Sequence, residues 1–212
     1  MSVTKIFLVR HGETEWNLAG KMQGHLDSPL TATGQAQAQA VAKRLQHYSF
    51  AAIYSSDLTR AYQTARCIAE KQSGQAVLTD SRLRERCLGI FQGVAKDELP
   101  LKFPQEFALY QTQEIDYVVP EGESVRQFRQ RCLTGLAEIA QQYSGKLILV
   151  VTHGGVLVSL FKHTLGLAPN APRHFEILNT SLNVFSYHDN YWRLETWGDL
   201  SHLEQLQALD DF

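Results

Sequence analysis

Short, nearly unbroken apolar runs alternate along this chain with longer stretches of mixed polarity. Ile6-Phe7-Leu8-Val9 and Leu147-Ile148-Leu149-Val150-Val151 are each preceded by a lysine. Runs this continuous suit strands covered on both faces rather than strands with one wet side. Residues 51–54 predict a second short strand and residues 76–79 a third. Between the runs, Thr31 reads as an N-cap for a helix over Ala32–Leu45, a stretch rich in the good helix formers Ala and Gln. A second helix is predicted over 58–70 with Ser56 or Asp57 as its cap. A third opens at Glu123-Ser124 and runs to about Tyr143, and a fourth covers 155–165. Residues 181–187 and 191–197 predict a hairpin turned at Asp189-Asn190, and the last dozen residues are expected to be loosely held.

This alternation of strand and helix predicts an α/β fold, a three-layer sandwich whose mostly parallel central sheet carries helices on both faces. Gly12, Gly20 and Gly24 mark a loop after the first strand. Residues 86–122 read differently, being punctuated by Pro100, Pro104 and Pro120 and weighted with Phe103, Phe107, Tyr110 and Tyr117. They predict an excursion with short helices. Its part at about 94–122 is expected to form a small helical cap over a site, its aromatic residues serving either as core or as a substrate wall. The 212 residues show no low-complexity linker and no charge block, so a single domain over 1–212 is expected.

Composition narrows the function. Hydrophobic residues make up 44% and charged residues 20%, the balance of an ordinary soluble globular protein. The net charge of −2 offers no bulk basic field for nucleic acid, so any anion site must be built locally. Cys67, Cys87 and Cys132 form no CxxC pair and no zinc spacing and are expected to be reduced thiols. The apolar run at 6–9 stops at Arg10, too short for a signal-peptide core, and no stretch approaches the ~20 apolar residues of a membrane span. A cytoplasmic, membrane-free setting is expected.

The two most apolar strands end alike, in His11-Gly12 and His153-Gly154. In open parallel sheets, ligands bind beyond the carboxyl ends of the strands, and both histidines would arrive there. Each following glycine permits a sharp turn and close approach of backbone to a ligand. A helix opening at His153 would turn its free N–H groups towards an anion. Arg10 adjoins His11, and Arg60 lies early in the helix that follows the second strand. Guanidinium forks match phosphate oxygens, and such a cluster, self-repelling when empty, implies an anionic ligand. A neutral imidazole attacks phosphorus, and nearby arginines favour the neutral form and stabilise the phosphoryl oxygens in the transition state. A second imidazole would donate a hydrogen bond to them. An acid is still required for the leaving alkoxide, and Glu13, Glu85 and Asp27 all remain open.

Six blocks in order resemble the histidine phosphatase superfamily, also called the phosphoglycerate mutase-like family. They are Leu-Val-Arg-His-Gly-Glu-Thr-Glu-Trp-Asn at 8–17, the blocks at 24–34, 55–65 and 83–93, Pro-Glu-Gly-Glu-Ser at 120–124, and Val-Thr-His-Gly-Gly at 151–155. The resemblance implies an α/β sandwich and a phosphohistidine on His11. It implies that Arg10, Arg60 and His153, with Gly154 beside them, bind the transferred phosphoryl group. Glu85 becomes the proton donor and later the base for water, Asn17 and Gln23 add polar contacts, and no metal or cofactor takes part. Gln92-Gly93 stands where the family's acid block carries Glu-Gly, His25 stands where the mutases carry Trp, and the mutase insertion between the acid and the second histidine is absent. These departures favour hydrolysis. The expectation is a phosphomonoester hydrolase of acid-phosphatase type acting on small phosphorylated metabolites, with no nucleic acid or membrane partner and with a homodimer left open. Two alternatives are a phosphoglycerate mutase and a non-catalytic phospho-ligand module. A dinucleotide enzyme is disfavoured because no GxGxxG follows the first strand. His25 is the best of the remaining histidines for lining the pocket, Asn179-Thr180-Ser181 are in reach of it, and an aromatic wall would favour an apolar or aromatic leaving group.

Overall fold

The two lysine-led apolar runs lie side by side at the centre of a six-stranded sheet with the order β3-β2-β4-β1-β5-β6. The strands are β1 (Thr4–Arg10), β2 (Ala52–Ser55), β3 (Val77–Thr79), β4 (Leu147–Thr152), β5 (Leu182–His188) and β6 (Tyr191–Asp199). The coordinates are a computed structural model and describe residues 2–203, 208 and 210. Strands β3, β2, β4 and β1 are parallel, whereas β5 runs antiparallel to both β1 and β6. The mostly parallel sheet is therefore observed. The closing hairpin turns where predicted, with both Asp189 and Asn190 at positive φ.

Side chains alternate across each strand, and this alternation makes the layers. Ile6, Leu8, Ile148 and Val150 pack under helices α6 (Val125–Gln142) and α7 (Gly154–Thr164). Phe7, Val9, Leu149 and Val151 pack on the other side, under α2 (Ala32–Leu45) and α3 (Thr59–Lys71). Burial of each such aliphatic side chain contributes roughly 1.5–3 kcal/mol, which is why the central strands read as continuous apolar runs.

Local chemistry sets most boundaries. Thr31 accepts from the Gly34 amide and starts α2 at the predicted residue. Ser124 and Gln127 form a reciprocal capping box at α6. The α3 cap is a correction, because neither Ser56 nor Asp57 serves. Leu58 is the N-cap and makes no side-chain cap bond. The Thr59 amide is instead met by Asp27 at 2.6 Å, from far away in sequence. The glycine-marked loop also holds a short unpredicted helix, α1 (Glu15–Leu18), boxed by Thr14 and Asn17.

The excursion after β3 contains α4 (Leu99–Lys102) and α5 (Pro104–Gln111). It wraps a small apolar cluster of its own, formed by Met22, Leu88, Phe91, Leu99 and Val119. All three cysteines are free thiols. No helix among the described residues is long and apolar enough to cross a membrane. Of the last dozen residues, Leu203 is buried and Asp210 pairs with Arg173 at 2.8 Å. The expectation of loose holding otherwise falls on residues outside the described ones.

Candidate active site

At the carboxyl edge of β1 and β4, a cleft of about 580 Å³ opens between the sheet and the excursion. Arg10, His11, Asn17, Gln23, Arg60 and Glu85 all line it. Arg10 faces Thr152 in the β1–β4 register, so His11 and His153 follow at one level, their ring centroids 5.2 Å apart. His11 Nδ1 lies 2.8 Å from the Gly12 carbonyl oxygen. A carbonyl only accepts, so Nδ1 carries the hydrogen, and a neutral ring keeps its lone pair on Nε2. The backbone is held as well, since the His11 carbonyl accepts from Asn179 Nδ2 at 3.1 Å and the Gly12 amide donates to Thr64 Oγ1.

Close backbone packing requires Gly12. A Cβ there would sit 2.6 Å from the Gly34 carbonyl oxygen, and one on Gly34 would sit 2.0 Å from that of Glu13. The two glycines let the start of α2 touch the backbone behind His11. At the α7 end, a Cβ on Gly155 would lie 2.1 Å from Glu85 Oε1, so bare backbone there makes room for the acid.

His153 is fully buried and lies beneath the cleft lining. Its Nε2 is 2.8 Å from Ser56 Oγ, and its Nδ1 has no partner among the described residues. Burial, then electrostatic interaction with Arg60, His11 and Arg10, holds its pKa well below the ordinary imidazole value. Gly154 is the buried first residue of α7.

Arg60 is 1% exposed. Its Nη1 donates to Leu26 O at 2.9 Å and to Asp27 Oδ1 at 2.7 Å, its Nη2 donates to Gly24 O at 2.8 Å, and its Nε has no partner. Burial lowers its pKa, which Asp27 opposes. The cluster is thus partly neutralised by Asp27, a correction to the picture of bare repelling cations. Arg10 Nη1 donates to the Ile177 carbonyl.

Among the three acids, Glu85 alone lines the cleft. Glu13 accepts from Thr31 Oγ1, and Asp27 holds Arg60. Glu85 Oε2 accepts from the Gly155 amide at 2.9 Å and Oε1 from the Arg86 amide at 2.7 Å. Burial raises its carboxyl pKa against these bonds and against Arg60 and Arg10. Arg131 donates to the carbonyls of Arg82, Arg84 and Glu85 and so clamps the acid's loop. His25 Nε2 also meets the Glu85 carbonyl, at 2.9 Å, so His25 supports the acid's backbone and is not part of the cleft lining. Gln92 Oε1 accepts from the His25 amide at 2.6 Å. Gln23 is buried in the lining with its Oε1 unpartnered. Asn17 Oδ1 caps α1.

Buried donors with no acceptor, converging with imidazoles on a cleft at this sheet edge, mark an anion site. Residues 6–200 match the histidine phosphatase superfamily (branch 1). The chain belongs to the histidine phosphatase superfamily. It is 44% identical over 204 residues to "Phosphoglycerate mutase-like protein 4" of Arabidopsis thaliana, covering 95% of this chain and 87% of the relative. It is 38% identical to the "Metal-independent phosphoserine phosphatase" of the same plant, covering 98% of this chain and 86% of the relative. The structure of Bacillus stearothermophilus YhfR superposes with a TM-score of 0.87 at 32% identity, covering 95% of this chain and 100% of that one. The α/β architecture is that of these structural neighbours. Ser56, Asp27 and Gly155 were not singled out for these positions beforehand. Nothing local distinguishes a serine that holds a histidine almost a hundred residues away.

Proposed function

We propose that the chain is a phosphomonoester hydrolase that works through a phosphohistidine on His11. The carrying observation is the bond from His11 Nδ1 to the Gly12 carbonyl, which leaves the lone pair of a neutral ring on Nε2, the nucleophile in this reading, in a site where Arg60 Nε and His153 Nδ1 have no partner among the described residues. In this reading Nε2 attacks phosphorus as the ester P–O bond breaks, and the bonding pair leaves on the alkoxide oxygen. Glu85, whose burial favours the protonated carboxyl, supplies the proton. Arg10 and Arg60 meet the equatorial oxygens. With the Ser56 hydroxyl donating to Nε2 of neutral His153, its Nδ1–H is left to donate to one oxygen as well. Asn17 and Gln23 add polar contacts, and the Gly154 end of α7 faces the phosphoryl group. Glu85, now a carboxylate, then takes a proton from water as that water attacks phosphorus, the N–P bond breaks, and His11 is restored.

Small phosphorylated metabolites are the proposed substrates. The segment at about 94–122 is the proposed cap, since it borders the cleft through Phe107, Tyr110 and Tyr117. The free thiols suit a cytoplasmic setting. A mutase reading has the name of the 44% identical relative in its favour, and product analysis with 3-phosphoglycerate separates the two. The direct test is phosphate release from an aryl phosphate together with trapping of acid-labile phosphate on the protein. His11→Ala is expected to abolish both. Retention of either would refute the assigned nucleophile.

A further inference from the structure

The cleft extends well beyond the phosphoryl cluster. Gly155, Val158, Ser159 and Lys162 of α7 all line it. Their spacing of i, i+3, i+4, i+7 is one stripe of a helix. Val125, Phe128 and Arg129 line it from α6 with the same local spacing. Gly155 touches Glu85 at the chemical end, so the stripe leads from the acid to Lys162, about 10 Å along the axis at 1.5 Å per residue.

At that far end stand two cations with unusual surroundings. Lys162 is 7% exposed, and among the described residues its Nζ donates only to the carbonyls of Pro169 and Ala171. Arg129 is half-buried and donates to the Ser159 carbonyl at 3.2 Å. Among the described residues no carboxylate pairs with either, a trait shared in this lining by Arg86, which donates to the carbonyls of Glu123 and Tyr117, whereas Arg60, Arg82, Arg84, Arg126, Arg131 and Arg173 each have one. Burial depresses both pKa values, and the positive charge of Arg129 depresses that of Lys162 further. Glu114 is the other acid of the lining; it is exposed and bound to neither cation. Partly buried like charges with no counter-ion are costly unless a ligand supplies the missing negative charge. Val158 lies between the two ends of the stripe, and Phe128 and Tyr110 add aromatic surface to the lining.

We infer that Arg129 and Lys162 form a second anion site. It would select phosphomonoesters whose leaving group carries a carboxylate or second phosphate about two helical turns from the scissile phosphoryl group. This deepens the hydrolase reading and rests on it. The distance is too long for the compact phosphoglycerates and suits a substrate with an apolar spacer.

The experiment compares three aryl phosphates that differ only at the end of a para side chain: terminal carboxylate, terminal phosphate and neutral carboxamide. At low salt the anionic esters are expected to exceed the carboxamide in kcat/KM on the order of ten-fold, through KM, with the advantage shrinking as KCl rises. Lys162→Met and Arg129→Gln are each expected to bring the anionic esters down towards the carboxamide. The salt series on the unaltered chain needs no variant to fold. Carboxylate or phosphate as the better arm identifies the source of the second charge. Equal, salt-insensitive turnover of all three overturns the second site and leaves the hydrolase standing. A preference that survives both substitutions also overturns it. No turnover of any ester removes both readings.

Discussion

His11 and His153 stand with ring centroids 5.2 Å apart and planes inclined by 58°. Each follows the last paired position of two adjacent parallel strands, Arg10 opposite Thr152. Neighbouring strands lie about 4.8 Å apart, so the spacing of the rings is close to that of the backbone itself. The sheet brings the two imidazoles together, with no side-chain packing needed to define their separation.

Glu85→Gln removes the proposed proton donor while keeping the side chain's size. Activity towards alkyl phosphates is expected to fall by roughly 10²–10⁴-fold. The fall should be much smaller for 4-nitrophenyl phosphate, whose leaving group needs little protonation. Steady-state rates across a series of leaving groups measure this, and an equal loss across the series would remove Glu85 from the proton-donor role.

The same carboxyl links stability to pH. Burial raises its folded-state pKa above the ordinary value of 4.5. Between the unfolded and folded pKa values the native state binds the proton more than the unfolded chain does. The contribution from Glu85 is therefore fully present below pH 4.5 and is lost as pH rises through the raised folded value. The Tm of Glu85→Gln relative to the unaltered chain should climb across this window and then level off. Thermal melts at a series of pH values would expose a flat difference.

Gly155→Ala tests whether the acid's position depends on bare backbone. The added Cβ would lie 2.1 Å from Glu85 Oε1 and 3.0 Å from Phe128 Cζ, so the carboxyl must move. A displacement near 1 Å costs on the order of 10²-fold in rate. Alanine is otherwise welcome in a helix. We expect a large loss in kcat with an unchanged circular dichroism spectrum, and full activity would show that the contact is dispensable.

Asp27→Ala strips the carboxylate from Arg60 and from the Thr59 amide. The guanidinium is 1% exposed but Asp27 is 27% exposed. The expected destabilisation is therefore about 2 kcal/mol, less than a fully buried pair would lose. Denaturant midpoints report this, and inhibition by orthophosphate should weaken in parallel.

The elements were legible wherever their signals are local. Thr31 starts α2 because its own hydroxyl meets an amide three residues on, and Asp189-Asn190 turns the hairpin because both residues tolerate positive φ. The α3 cap was not legible, because its oxygen comes from Asp27 across the fold. The packing of Gly12 was not legible for the same reason: the backbone that needs the space belongs to Gly34. Of the three acids, Glu13 and Asp27 are distinguished from Glu85 only by partners remote in sequence.

By itself the amino-acid sequence determined the strand–helix alternation, the mostly parallel sheet, and the arrival of Arg10, His11, Arg60 and His153 at one edge. These follow from apolar runs, caps and turns whose physics extends over a few neighbours. Tertiary structure alone decided that Ser56 holds His153, that Asp27 neutralises Arg60, and that Arg129 and Lys162 share a cleft with Glu85, and it supplied the physical ground for Glu85, which the family resemblance had already implied. Those relationships depend on distance and solvent exclusion between groups far apart along the chain, which no local pattern encodes.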